Sequence, residues 1–236
     1  MVPLYREREG VARLFERLLP VLAELPMAEL ILVDDGSDDG TAEACKTLVA
    51  KTKRVSARLL RHRRNFGLTA ALRTGFLAGR APIHCWLDAD LSYDPRVLLR
   101  LVEAVRRGAD LATVSPYHPD GAVDSVPPLR LWLSRGLSRT YRLLQGGDVY
   151  TYSAMVRAWR RSVLARCLPR REGHLGVTES LLRVQGLRTQ GRAARLVEVP
   201  ATLGGRVVGR SAVRLVPTVL GHVGLMHDAV LGRLGE

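Results

Sequence analysis

The chain has 236 residues, 47% of them hydrophobic, with a formal net charge of +13 and a pI near 10.7. That length and composition support one substantial core and exclude a disordered or fibrous chain. The charge comes from Arg far more than from Lys and points to anionic partners, whether nucleotides, lipid phosphates, an anionic membrane surface or nucleic acid.

The three cysteines, Cys45, Cys85 and Cys167, are far apart with no C-x-x-C, a pattern that argues against a disulfide framework and a zinc site. No N-terminal signal and no run of about 18 apolar residues is visible, so a reduced, cytoplasmic setting is expected. The six histidines are scattered and read as packing or surface residues.

In chain order, Met1 to Tyr5 read as the end of a strand, with Pro3 at its terminus or edge. Val11, Leu14, Phe15, Leu18, Leu19 and Leu22 set a helix over Glu7 to Leu25, which Pro20 is expected to kink or end. Leu30 to Val33 form a continuous apolar run, as in a buried parallel strand, closing on Asp34, Asp35, Gly36, Ser37, Asp38, Asp39, Gly40 and Thr41. Thr41 to Ala50 are helical, Val55 to Arg61 a strand, and Leu68 to Ala78 a helix whose Ala70, Ala71 and Gly75 permit close packing. Ile83 to Leu87 is another strand. Pro95 opens a helix that Gly108 stops, and Asp110 to Ser115 follow as a strand. Strands and helices alternating at this spacing imply a doubly wound, mostly parallel sheet.

Beyond the Pro-, Asp- and Gly-rich loop from Tyr117 to Pro128, helices are expected at Leu129 to Leu144 and Thr178 to Gln185, and a strand at Ala194 to Val199. Val216, Val219, Leu220, Val223, Met226 and Val230 recur at helical spacing and define an amphipathic tail helix. Two roles suit it, docking on its own domain or attachment to a membrane surface or partner. The boundary between domain and tail is placed between residues 211 and 212.

The chemistry concentrates in His84-Cys85-Trp86-Leu87-Asp88-Ala89-Asp90, an apolar strand ending in two carboxylates one residue apart. Ligands of open α/β sheets bind at such strand exits. Two hard oxygen donors there suit Mg²⁺ or Mn²⁺ completing its shell with water and substrate phosphates. A bare D-x-D also suits a simple turn, with Asp94-Pro95 capping the next helix.

Taken together, VPLYRE at Val2 to Glu7, ILVDDGSDDGT at Ile31 to Thr41, NFGLTAALRTGF at Asn65 to Phe76 and WLDADLSYDP at Trp86 to Pro95 resemble the inverting family 2 glycosyltransferases. Within that family the likeness is to the dolichyl or polyprenyl phosphate mannose or glucose synthases. Weaker matches follow in LRLWLSRG at Leu129 to Gly136, RAWRRSVL at Arg157 to Leu164, Glu179, and VPATLGGRVVGRS at Val199 to Ser211. The resemblance implies the GT-A, or nucleotide-diphospho-sugar transferase, fold. It also implies transfer of a hexose from a nucleoside diphosphate sugar, of the GDP-mannose or UDP-glucose type, to polyprenyl phosphate at a membrane surface.

By the same resemblance Pro3, Tyr5 and Glu7 line the nucleoside pocket, Asp34 shapes the adjacent turn, and Asp35 accepts hydrogen bonds from the base. Asp88 and Asp90 are the D-x-D that holds the metal, with Asp90 the direct ligand and Asp88 nearer the ribose or sugar. Asn65 and Gly67 belong to a loop near the donor, although Gly67 also suits an ordinary positive-φ turn. Arg130, Arg206 and Ser211 fall in the segments that bind acceptor phosphate. Glu179 falls where an acidic residue sits near the acceptor, as a base for a hydroxyl or a positioning group for a phosphate.

The chain departs from the family pattern at Arg6, Pro116, Ser92 and Ala212, where Asn, Arg, Gln and Lys are usual. These changes bear on the acceptor more than the donor and leave open a catalytically weakened protein. A phosphohydrolase using Asp88 and Asp90 is a poorer reading, because their strand follows three others and ILVDDGSDDGT is left without a role. A basic nucleic-acid binder is an equally poor reading, because clustered carboxylates repel a phosphate backbone unless a metal intervenes.

Overall fold

A computed structural model describes residues 1–146, 148–205 and 215–235, with only the backbone given for 215–219 and 235. Strands β1 (Val2–Leu4), β2 (Glu29–Asp34) and β3 (Ser56–Arg61) pair in parallel in the order β1-β2-β3. Strands β4 (Ile83–Trp86), β5 (Leu111–Ser115), β7 (Arg157–Arg160) and β10 (Leu196–Pro200) form the order β10-β5-β7-β4. The N–H of Met1 donates to Cys85 O at 2.6 Å and Leu87 N–H to Met1 O at 3.2 Å, which joins β1 to β4. The result is one sheet in the order β3-β2-β1-β4-β7-β5-β10. It is mostly parallel; β7 runs antiparallel to both its neighbours.

Helices cover both faces, as the alternation of elements predicts. Along β2, Leu30 and Leu32 point to the cluster formed by α1 (Val11–Ala23), α2 (Thr41–Lys51) and α4 (Val97–Arg106), whereas Ile31 and Val33 point to α3 (Leu68–Ala78). The same period of two divides β7: Ala158 faces α4, and Trp159 faces the cluster of α3, α5 (Pro128–Gln145), α6 (Arg161–Cys167) and α7 (Gly173–Gln185). There Trp86 and Trp159 are fully buried with ring centres 5.1 Å apart, a pair worth about 1 kcal/mol beyond its buried area. Deleting a core side chain such as Leu14 is expected to cost roughly 2–5 kcal/mol.

Some boundaries differ from the sequence reading. The first helix begins at Val11 rather than Glu7, and it continues through Pro20 to Ala23. Pro20 forfeits one bond in the helix without ending it, because the apolar stripe from Val11 to Leu22 stays packed. Short strand pairs absent from that reading also occur: β6 (Ala122–Val123) with β11 (Thr202–Leu203), and β8 (Arg188–Thr189) with β9 (Arg192–Ala193).

Helix α8 (Leu215–Val230) bears out a helical tail, with part of its apolar stripe exposed and part packed on the domain. Leu220, Val223 and Val230 of the expected stripe are exposed, while His222 and Leu225 pack inward. The helix is apolar nearly all round, so apolar spacing alone does not select the docked side. Residues 211 and 212, where the tail was separated from the domain, lie outside the described residues.

Candidate active site

Three parallel strands deliver their C-terminal ends to one edge. Leu4, Asp34 and Arg61 are register partners across β1, β2 and β3, so Tyr5, Asp35 and His62 emerge side by side. The buried Asp35 carboxylate takes Phe66 N–H at 2.9 Å and His62 Nδ1 at 2.7 Å on Oδ1, and Gly67 N–H at 2.7 Å on Oδ2. A carboxylate has about four acceptor positions, so Asp35 retains capacity for one further donor. Asp34, fully buried, accepts Ser37 N–H at 3.3 Å and lies 3.3 Å from Arg61 Nε.

The loop above these strands is shaped by Asp35. Asn65 Oδ1 accepts Gly67 N–H at 3.0 Å, and Gly67 adopts φ 93° and ψ 162°, a region open essentially to glycine alone. A Cβ at Gly67 would also meet Glu172 Oε2 at 2.7 Å. Opposite, Arg6 occupies a left-handed conformation (φ 56°) that asparagine tolerates better, and its side chain is paired to Asp38 at 2.7 and 2.8 Å. The Glu7 backbone is fixed through its N–H to Thr41 Oγ1 at 2.9 Å. Pro3 is half-buried within β1 and Tyr5 is exposed beyond it.

From β4 the chain enters the acidic turn. Asp90 Oδ1 accepts both Ser92 N–H at 3.0 Å and Ser92 Oγ–H at 2.6 Å, and Leu91 between them has φ 54°. A branched side chain in that conformation is strained, and the Asp90–Ser92 bonds hold it. Asp88 and Asp90, both half-buried, line a crevice of about 450 Å³. Arg130, Trp132 and Leu133 of α5 line the same crevice, with Met155, His222 and Met226 among its further walls. Two acids therefore share a space whose walls are largely apolar and which carries one arginine from α5.

Two crevice residues had no assigned role in the sequence. Tyr93 is buried beneath Asp88, and burial first, then the Asp88 charge, raises its phenol far above the usual range. His222 bonds Tyr141 Oη through Nδ1 at 3.0 Å, and burial lowers its pKa to about 4. Only the spacing of His222 and Met226, one helical turn apart, could have placed them on one wall.

Glu179 is elsewhere. It is 4% exposed, does not line the crevice, and its Oε2 accepts Arg170 N–H and Arg171 N–H, each at 2.8 Å. It thereby shapes the turn that Thr69 Oγ1 and Arg73 Nη1 anchor to α3, and from which Arg171 pairs with Asp228 of α8. Arg206 and Ser211 lie outside the described residues. Among the described residues no group of three metal-binding side chains occurs. Two carboxylates on one crevice suit a hard cation that takes its other ligands from water and a bound diphosphate.

The family model for glycosyl transferase family 2 matches residues 1–168. The chain is 30% identical over 216 residues to a dolichol-phosphate mannosyltransferase of Pyrococcus furiosus, covering 91% of this chain and 58% of the relative. It is 37% identical over 170 residues to a polyprenol monophosphomannose synthase of Mycolicibacterium smegmatis, covering 70% and 62%. It thus spans about three-fifths of the length of these two relatives. Glucosyl-3-phosphoglycerate synthase from Mycobacterium tuberculosis, solved with Mn²⁺, UDP-glucose and phosphoglyceric acid, superposes with a TM-score of 0.70 at 19% identity. That superposition covers 99% of this chain and 78% of the synthase and shows a shared GT-A fold. By sequence and by fold, the chain belongs to glycosyltransferase family 2.

Proposed function

We propose that the chain transfers a hexose from a nucleoside diphosphate sugar to a polyprenyl phosphate, with inversion. The observation that carries this reading is the shared crevice, lined by Asp88, Asp90, Arg130 and largely apolar side chains. A diphosphate with its cation suits the acids, a phosphate head suits Arg130, and a prenyl chain suits the apolar wall. The relatives named for dolichol-phosphate and polyprenol substrates agree with this.

Asp35, with Tyr5 and the 65–67 turn, would take the nucleoside, its spare acceptor position receiving an N–H of the base. Asp90 and Asp88 would hold Mg²⁺ or Mn²⁺, which when bound neutralises charge on the departing diphosphate. Arg130 would orient the acceptor so that a phosphate oxygen meets the anomeric carbon opposite the departing group. The new carbon–oxygen bond forms as the bond to the nucleoside diphosphate breaks. A phosphate is already anionic at neutral pH and needs no general base. The place of Glu179, away from the crevice and holding the 170–171 turn, accords with a positioning role.

The surface supports a peripheral membrane contact. Leu129, Trp132 and Leu143 of α5 are 65%, 71% and 83% exposed, and Leu220, Val223 and Val230 of α8 are exposed as well. Among the described residues no helix is long and apolar enough to cross a membrane. An exposed apolar stripe beside arginines, on a chain of net charge +13, fits an anionic bilayer surface.

The test is a transfer assay with GDP-mannose and UDP-glucose, a short-chain polyprenyl phosphate and Mg²⁺ or Mn²⁺. An inverted glycosyl phospholipid is expected from one donor. Hydrolysis of the donor with no lipid product, or transfer with retention, would contradict the proposal.

A further inference from the structure

Beside the crevice lies a second cavity, of about 350 Å³, whose walls carry three guanidiniums and no carboxylate. Arg135, Arg139 and Arg142 are four and three residues apart on α5 and stand in one row. Tyr117, His118 and Tyr150 complete the wall. The Arg142 guanidinium lies 4.3 Å from the Tyr150 ring centre and that of Arg135 lies 5.4 Å from the Tyr117 ring centre. His118 meets Tyr150 edge-on at 5.6 Å.

Arg135 and Arg142 are held by aromatic faces rather than by acids, and Arg139 stands exposed between them. Among the described residues no carboxylate forms an ion pair with any of the three. Asp120, 3.6 Å from His118 Nδ1, is 81% exposed and does not line the cavity. Three like charges around one space repel, and an anion between them reverses the sign of that interaction. The two guanidinium forks fixed by stacking, with Arg139 between them, match the oxygens of a phosphoryl group in particular.

We infer that this cavity is a phosphoryl-binding site separate from the crevice of Asp88 and Asp90. Its ligand carries a phosphate or diphosphate, either free or as a lipid headgroup. The site shares only Pro116 and Tyr117 with the crevice. The arginine row runs beside the exposed stripe of Leu129, Trp132 and Leu143, which sets the cavity at headgroup depth if α5 rests on a bilayer. The lipid source therefore rests on the proposed membrane contact, and the free source does not.

The experiment uses the whole chain, with circular dichroism to verify folding, and four proteins: wild type, R139Q/R142Q, D90N, and R80Q/R106Q. The last removes the same charge from exposed positions elsewhere. Inorganic pyrophosphate is titrated by calorimetry in a chelator, and sedimentation is measured with phosphatidylcholine vesicles, with and without phosphatidylglycerol. A loss of pyrophosphate affinity of about tenfold or more in R139Q/R142Q alone establishes a free phosphoryl ligand. Loss of the phosphatidylglycerol dependence in R139Q/R142Q alone establishes a headgroup ligand. The inference is overturned if R80Q/R106Q loses as much as R139Q/R142Q, if D90N alone abolishes pyrophosphate binding, or if neither probe depends on Arg139 and Arg142. None of these results decides hexose transfer, which the donor and acceptor assay reads separately.

Discussion

Asp35 Oδ1 and His62 Nδ1 meet at 2.7 Å at the tops of adjacent strands, which makes the edge proposed for the nucleoside a built structure before any ligand arrives. A carboxylate only accepts, so Nδ1–H donates, and Nε2 of His62 lies within hydrogen-bond distance of the Thr74 hydroxyl at 2.9 Å. Replacing His62 with Leu strands one acceptor of a buried acid. The expected loss is about 1–3 kcal/mol of stability, with several-fold weaker nucleotide binding through the loosened 65–67 turn. Denaturant unfolding and nucleotide titration check both; an unchanged midpoint with unchanged affinity would contradict the assigned role.

Arg130 lines the crevice, and the proposed function gives it the acceptor phosphate. Arg130→Ala is expected to raise the KM for polyprenyl phosphate about tenfold or more while leaving donor affinity within about twofold. An equal loss of donor affinity would instead put Arg130 on the diphosphate.

β2 and β5 were legible because buried parallel strands are continuous apolar runs, and the four strands up to Trp86 all end in polar turns of a recognisable kind. β7 was not. Its sequence, Arg157-Ala-Trp-Arg160, has charged ends, yet Arg157 is fully buried, bonded to Val177 O at 2.5 Å and Tyr152 O at 3.0 Å with its guanidinium beside Trp159. One of those carbonyls lies five residues back in a non-repetitive segment and the other 20 residues on, in α7, so no periodic pattern announces the strand. The first five residues of α7 were missed for a different reason, since Gly173 and Gly176 weaken the helical signal that Thr178 to Gln185 retain. In the site, the acids of the D-x-D stood out as carboxylates at a strand exit. Tyr93 and His222 acquire their positions from packing and could not.

His222 makes stability pH-dependent. Burial, reinforced by His174, holds its pKa near 4 against 6.5 in the unfolded chain. Between those values the unfolded chain binds a proton that the folded chain refuses, so stability is full above about pH 6.5 and falls as the pH drops towards 4. The contribution is on the order of 3 kcal/mol across that window. Urea unfolding at pH 7 and 4.5 should show a steeper acid loss in wild type than in His222→Gln; parallel losses would refute the assignment.

Burial raises the thiols of Cys45 to about 12 and of Cys85 and Cys167 to about 11. At pH 8 they are protonated and enclosed, and poor nucleophiles for both reasons. A thiol-disulfide reagent should label the native protein very slowly and all three cysteines after denaturation. Rapid labelling of Cys85, the half-buried one, would indicate opening between β1 and β4.

The most direct measurement is calorimetric titration of wild type and Asp90→Asn with UDP and with GDP, each with Mn²⁺ and again with a chelator. The account predicts that wild type binds one of the two nucleotides in a metal-dependent manner. Asp90→Asn, folded and equally stable, should lose that dependence and at least about a hundredfold in transfer rate. Metal-independent binding, or an Asp90→Asn variant that binds and turns over like wild type, would contradict the placement of the diphosphate and its cation at Asp88 and Asp90.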